Sequence, residues 1–142
     1  MTEVREARDA AERDAAMAIR HAVFVEEQDV PVELEVDGRD DEAVHLVALR
    51  AGAVVATCRL IAHGDTVHLG RLAVDRSARR QGVAGLLVAA AAAWARDHGA
   101  RRLALSAQTY ATGLYVAAGY VAVGDPYLEA GIEHVDMELD LA

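Results

Sequence analysis

The chain contains one cysteine, Cys58, so it forms no internal disulfide, and a reducing, cytoplasmic setting is expected. No linker and no internal repeat interrupts its 142 residues, which points to one domain with a real core. The stretch from Glu3 to Asp14 is charged and does not read as a secretory signal. The longest uninterrupted apolar run, Val83 to Ala95, is too short to cross a bilayer, so no membrane partner is expected. Metal-site spacing is missing as well: His63 and His68 flank a turn without a supporting Cys or His pair, and no metal is expected. Positive charge is scarce. A net charge of −9 offers no general basic face for nucleic acid, but it suits a cationic partner such as an amine, or plain solubility. Apolar residues, by contrast, make up 54% of the chain, which excludes disorder.

The rest of the chain is organised around the stretch from Val67 to Gly99. Residues up to Val74 are short, apolar and partly alternating, as in a strand. Leu86 to Ala95 is too long for a strand and rich in Ala and Leu, and Gly99 after Arg96-Asp97-His98 is a helix stop. Between them lies a loop with Arg76, Arg79 and Arg80. A helix N-terminus leaves backbone N–H groups unpaired and carries the positive dipole end, and Gly82 and Gly85 let a phosphate approach the backbone. The loop is therefore an anion site. It is not a Walker A loop, because Val83 follows Gly82 where Lys and Ser or Thr are needed. The dinucleotide fingerprint Gly-x-Gly-x-x-Gly is also missing.

The remaining pattern predicts a weak strand over Thr2 to Ala7 and a helix over Asp9 to Val25, with Ala16, Ile19, Ala22 and Val23 on one face. Glu26 to Asp41 is acidic, holds Pro31 and Gly38, and reads as loop with a helical turn. Ala43 to Arg50 and Val54 to Ile61 form a hairpin about Ala51-Gly52-Ala53. A strand over Arg102 to Ala107, a short helix over Tyr110 to Ala118 closed by Gly119, and strands over Tyr120 to Val123 and His134 to Leu141 complete an α/β fold with a mixed sheet. The six-residue stretch Arg79-Arg80-Gln81-Gly82-Val83-Ala84 resembles the Arg/Gln-x-x-Gly-x-Gly/Ala signature of the GNAT N-acetyltransferase superfamily. Leu114-Tyr115-Val116-Ala117-Ala118-Gly119-Tyr120 is similar to that family's aromatic-Tyr-x-x-x-Gly-Phe segment, with Leu114 for the first aromatic and Tyr120 for Phe. Val23-Phe24-Val25-Glu26-Glu27-Gln28, Glu35, Asp37, Ala43-Val44-His45, Ala107-Gln108 and Gly131-Ile132-Glu133-His134 resemble the ElaA-like subgroup.

The resemblance implies a mostly antiparallel central sheet flanked by helices and splayed between the fourth and fifth strands. It also implies an acetyl-CoA-dependent N-acetyltransferase that acts by direct attack in a ternary complex. Its acceptor would be a small-molecule amine or an exposed amino group. On that resemblance the backbone of Leu72, Ala73 and Val74 binds the pantetheine arm and acetyl group, and Arg79, Arg80, Gln81, Gly82, Val83, Ala84 and Gly85 bind the pyrophosphate. Tyr115 occupies the family's general-acid position, and a phenol of pKa about 10 suits a thiolate leaving group. Core packing is the plainer role for the same tyrosine. Of the polar residues Glu26, Glu27, His45, Gln108 and His134, the candidates for the base are Glu27 and His134, with a structural hydrogen bond or simple exposure as the plainer reading of each. Cys58, mid-strand with no adjacent His, reads as a buried inert thiol. Arg59 and Arg71 either face the cleft or pair with the acidic loop. The alternative function is a non-catalytic acyl-CoA-binding sensor or regulatory module, and a homodimer through an exposed C-terminal strand is compatible with the sequence.

Overall fold

The computed structural model describes all residues from Met1 to Ala142. Seven strands form one sheet in the order β1-β2-β3-β4-β5-β7-β6. They are β1 (Thr2–Glu6), β2 (Val44–Arg50), β3 (Ala53–His63), β4 (Thr66–Val74), β5 (Arg102–Gln108), β6 (Val121–Glu129) and β7 (Ile132–Asp140). Every neighbouring pair is antiparallel except β4 and β5. Those two pair in parallel only from Thr66 opposite Arg102 to His68 opposite Ala104. Beyond His68 they diverge, and the edge of β4 that faces β5 has no strand on it. The expected splay between the fourth and fifth strands is therefore present.

Helices cover both faces. Helix α1 (Ala10–Arg20) is capped by Asp9, whose side chain accepts from the Glu12 N–H at 2.9 Å. It lays Ala16 against Val47 and Leu49, and Ile19 and Val23 pack with Ala73. Helix α3 (Val83–Asp97) covers the opposite face with Val83, Leu87, Val88, Ala91, Ala92 and Ala95 buried. Its alanines leave little bulk between helix and strands, so the backbone approaches the sheet closely. Gly99, at φ +78°, closes it in the left-handed conformation. A single turn, α2 (Val32–Glu35), follows Pro31, and a short α4 (Thr112–Ala117) packs beside α3.

Three expectations need correction. The helix predicted over Asp9 to Val25 is α-helical only to Arg20 and continues as a π-helix from His21 to Glu27. An apolar stripe over so few residues does not distinguish the two windings, and tertiary contacts at Arg20 and Glu27 decide. Strand β6 runs to Glu129, well past Val123. Gly124, Asp125 and Pro126 form an irregularity within an edge strand, where a missing N–H is tolerated. The two-residue turn of that hairpin is Ala130-Gly131, both at positive φ. Finally, the C-terminal strand β7 is internal, paired with β5 on one side and β6 on the other, so the edge strands are β1 and β6.

Candidate functional site

The loop between β4 and α3 leaves a run of backbone donors without partners. None of the backbone N–H groups from Arg79 to Gly85 donates to a protein acceptor; the first helical bond there runs from Leu86 N–H to the Gly82 carbonyl. Gly82 caps α3 in the left-handed conformation at φ +79°, and a Cβ at Gly82 or Gly85 would meet nothing within 4 Å. The donors thus lie beside open space at the positive end of a 15-residue helix. Arg76 and Arg80 are exposed and unpaired at its rim. Arg79 is different. Its Nε donates to the Val74 carbonyl at 3.0 Å, and its terminal nitrogens donate to both oxygens of Glu27 at 2.9 and 2.6 Å.

Leu72, Ala73 and Val74 lie on the diverging part of β4. A bulge precedes them: β3 pairs Thr57 with Ala73 but Arg59 with Gly70, so Arg71 and Leu72 share the place opposite Cys58. Arg71 stands in the left-handed region at φ +52°, an uncommon place for a side-chain-bearing residue. Its guanidinium donates to the carbonyls of Leu34 and Glu35 and approaches Asp37. Arg59 donates bidentately to Asp37 at 2.9 Å, and Arg20 links Glu35 at 2.7 Å with Asp40 at 2.7 Å. Arg59 and Arg71 therefore both pair with the acidic loop. The loop's Glu35, Asp37 and Asp40 are neutralised internally. Sequence reading missed Arg20, 1% exposed against Glu35 at 4%, because nothing local distinguishes a buried arginine from a solvated one.

Tyr115, 8% exposed, sits in the main core on the α3 side, edge-to-face with Tyr120 at 5.7 Å. Its hydroxyl forms no hydrogen bond within the protein. Burial, with smaller contributions from the neighbouring Cys58 and Tyr120, pushes the phenol above its ordinary value, so it holds its proton at neutral pH. Cys58 itself is buried and its thiol is pushed up to about 12 by burial alone, the state of an inert thiol.

The two base candidates differ in what they hold. Glu27 is engaged by Arg79, whose hydrogen bonds keep its carboxyl below the usual carboxylate range, so it is a poor proton acceptor. His134, 9% exposed, lies opposite Gln108 at the end of β5, where the splay opens. Its Nδ1 is 2.7 Å from the Ile132 carbonyl. A carbonyl only accepts, so Nδ1 carries the hydrogen and Nε2 of the neutral ring keeps its lone pair. Tyr127 pairs with His134 across the strands, ring centroids 6.2 Å apart. The Tyr127 hydroxyl donates to Asp136 at 2.6 Å and accepts from Ser106. Sequence reading missed this trio, which side-chain alternation brings to one face only once β5, β6 and β7 are in register. His134 projects from the face opposite its neighbour Val135, which packs in the same core as Tyr115. Tyr115 and His134 thus stand on opposite sides of the sheet, and between them the sheet opens at the splay. His45 bonds through Nε2 to the Asp40 carbonyl, and exposed Glu26 is 3.5 Å from His21.

A seven-stranded mixed sheet, splayed between β4 and β5 and flanked by helices, is the architecture of the GNAT acetyltransferases. The family model for the acetyltransferase (GNAT) domain matches residues 7–141, and the chain belongs to that family. Within it the chain is 36% identical to the uncharacterized N-acetyltransferase YjcF of Bacillus subtilis, covering 88% of this chain and 90% of that one. It superposes on the crystal structure of an acyl-CoA N-acyltransferase from Pseudomonas aeruginosa with a TM-score of 0.84 at 33% identity, over 97% of each chain. Escherichia coli ElaA gives a TM-score of 0.86 at 26% identity, over 97% of this chain and 99% of that one.

Proposed function

We propose that this chain is an acetyl-CoA-dependent N-acetyltransferase that passes the acetyl group to a primary amine by direct attack in a ternary complex. The observation that carries this reading is the run of unpaired backbone N–H groups from Arg79 to Gly85 beside the unpaired edge of β4. The loop fits a diphosphate: donors, open space at two glycines, a helix dipole and free cations at Arg76 and Arg80. The edge of β4 at Leu72, Ala73 and Val74 fits an amide-bearing arm, because no strand pairs with it on the side that faces β5. The donor supplies an acetyl thioester, and a strand N–H near Val74 polarises its carbonyl.

The acceptor amine must lose a proton before it attacks, since an ammonium of pKa about 10 has no lone pair at neutral pH. His134 Nε2 takes that role, with the ring oriented by the Ile132 carbonyl and backed by Tyr127. Tyr115 holds a proton on the other side of the sheet and gives it to the departing sulfur. The acceptor approaches from the face of His134, Tyr127 and Asp136, which no helix covers.

Titration calorimetry with acetyl-CoA, with ATP and NAD as controls, tests the first half of the reading. Selective acetyl-CoA binding is expected, and its absence removes the enzyme reading. Tyr115→Phe is then expected to lower thiol release with an accepted amine by roughly a hundredfold while leaving acetyl-CoA affinity unchanged. Unchanged turnover would return Tyr115 to a packing role.

A further inference from the structure

The last residue of the π-helix, Glu27, and the residue after it, Gln28, reach the two walls of the splay. Glu27 binds Arg79, in the loop that leaves β4, through both carboxylate oxygens. Gln28 accepts from Gln108 Nε2 at 2.8 Å, at the last residue of β5. Its own Nε2 lies 3.4 Å from the Tyr110 hydroxyl. Residues 27 and 28 thus form a strap between walls that no backbone bond joins at this level.

Arg79 stands first in the anion loop, yet each of its three guanidinium nitrogens already donates to a protein oxygen, Nε to Val74 and the terminal pair to Glu27. Its charge is matched by the carboxylate, while Arg76 and Arg80 remain unpaired. We propose that Glu27 is a positioning residue. It locks Arg79 against the end of β4, and the locked arginine fixes the loop so that its N–H groups point outward. Arg79 then acts on the diphosphate through the shape of the loop and not by direct contact. The inference rests on the acetyl-CoA reading and deepens it.

Two features separate this pair from an ordinary surface ion pair, which contributes little. The geometry is bidentate with a third anchor on a backbone carbonyl, the arrangement in which an arginine is most rigid. The segment that presents Glu27 is also π-helical: the Gln28 N–H bonds to the Val23 carbonyl five residues back. π-Turns are rare and concentrate at functional sites. Continued α-winding would turn the side chains at 27 and 28 away from both walls.

The experiment is a double-mutant cycle in acetyl-CoA affinity on the full chain, read by calorimetry. Glu27→Ala is expected to weaken binding about tenfold, although its carboxylate offers the diphosphate no hydrogen-bond donor. Arg79→Ala should lose the same amount, and the double variant should lose no more than either single one. Additive losses, a larger loss for Arg79→Ala, or a Glu27→Ala affinity within twofold of the parent would overturn the proposal. Glu27→Gln, which keeps the shape and removes the charge, runs the same cycle if the alanine variant fails to fold. Failure of the parent to bind acetyl-CoA would sink the enzyme reading instead. In that case amide exchange at Asp75 and Ala78, whose N–H groups bond to Val55 and Asp75, decides the brace. Faster exchange in Glu27→Ala supports it, and unchanged exchange overturns it.

Discussion

Tyr120 carries a hydroxyl that the fold does not use. The side chain is 2% exposed and its oxygen finds no hydrogen-bond partner, where the family segment it resembles has Phe. A buried unsatisfied polar atom costs more than its removal. Tyr120→Phe is therefore expected to raise unfolding stability by about 1 kcal/mol, read by urea denaturation. A loss of stability would mean that the hydroxyl has a partner in solution. Tyr115, 5.7 Å away ring to ring, also lacks a protein partner, but it is the group assigned to the departing sulfur. The same Tyr→Phe change is thus expected to help stability at one position and to harm turnover at the other. The stretch around Tyr115 is legible in the sequence because its spacing to Gly119 is short. The state of either hydroxyl is not, because Cys58 and the rest of the core reach it from distant segments.

At the scale of elements, the acidic stretch after the π-helix is tied to the sheet and α1 by arginines. Glu35 on α2 takes Arg20 from α1, Asp37 takes Arg59 from β3, and Arg71 at the β4 bulge holds the carbonyls of Leu34 and Glu35. Removing Glu35 strips the buried Arg20 of two charged hydrogen bonds and leaves Asp40 as its remaining carboxylate, so Glu35→Ala is expected to destabilise by roughly 2–3 kcal/mol in chemical denaturation. Arg59 holds the Asp37 carboxyl below its ordinary range. Burial works against ionisation of Asp40, but its bonds to Arg20 and Arg59 outweigh it and leave that carboxyl lowered too. The folded state therefore binds these protons less readily than the unfolded chain. Their contribution to stability is complete above the ordinary carboxylate pKa of about 4 and is lost as pH falls below it. Melting temperature should fall between about pH 5 and 3 in the parent, and less steeply in Asp37→Asn. Equal slopes would remove Asp37 from the account.

At the scale of the whole molecule, the proposed transfer needs two half-sites to meet at one opening in the sheet: the loop before α3, and His134 on the face of β5, β6 and β7 that no helix covers. A ligand that fills the loop and the β4 edge binds only the folded chain. Acetyl-CoA at a hundredfold excess over its dissociation constant should therefore add about 2.7 kcal/mol and raise the melting temperature by roughly 5–10 °C. ATP and NAD should shift it less, since neither has an arm for the β4 edge, and equal shifts would speak against that edge as a site. No helix is long and apolar enough to cross a membrane. The edge strand β6 is interrupted at Gly124 to Pro126, which limits its use as a pairing template. The sequence by itself determined the strand–loop–helix around Gly82, the alternation that buries Val135 and Met137, and the helix stops at Gly99 and Gly119, because each is set by local backbone preference or short-range periodicity. Tertiary structure alone decided that β7 lies inside the sheet, that β6 runs past Pro126, that Arg20 is buried, and that Glu27 belongs to Arg79. The physical reason is that these outcomes depend on pairing and charge neutralisation between separate elements, from Arg20 with Glu35, 15 positions on, to Glu27 with Arg79, 52 positions on, and residue types read along the chain do not say which partners meet.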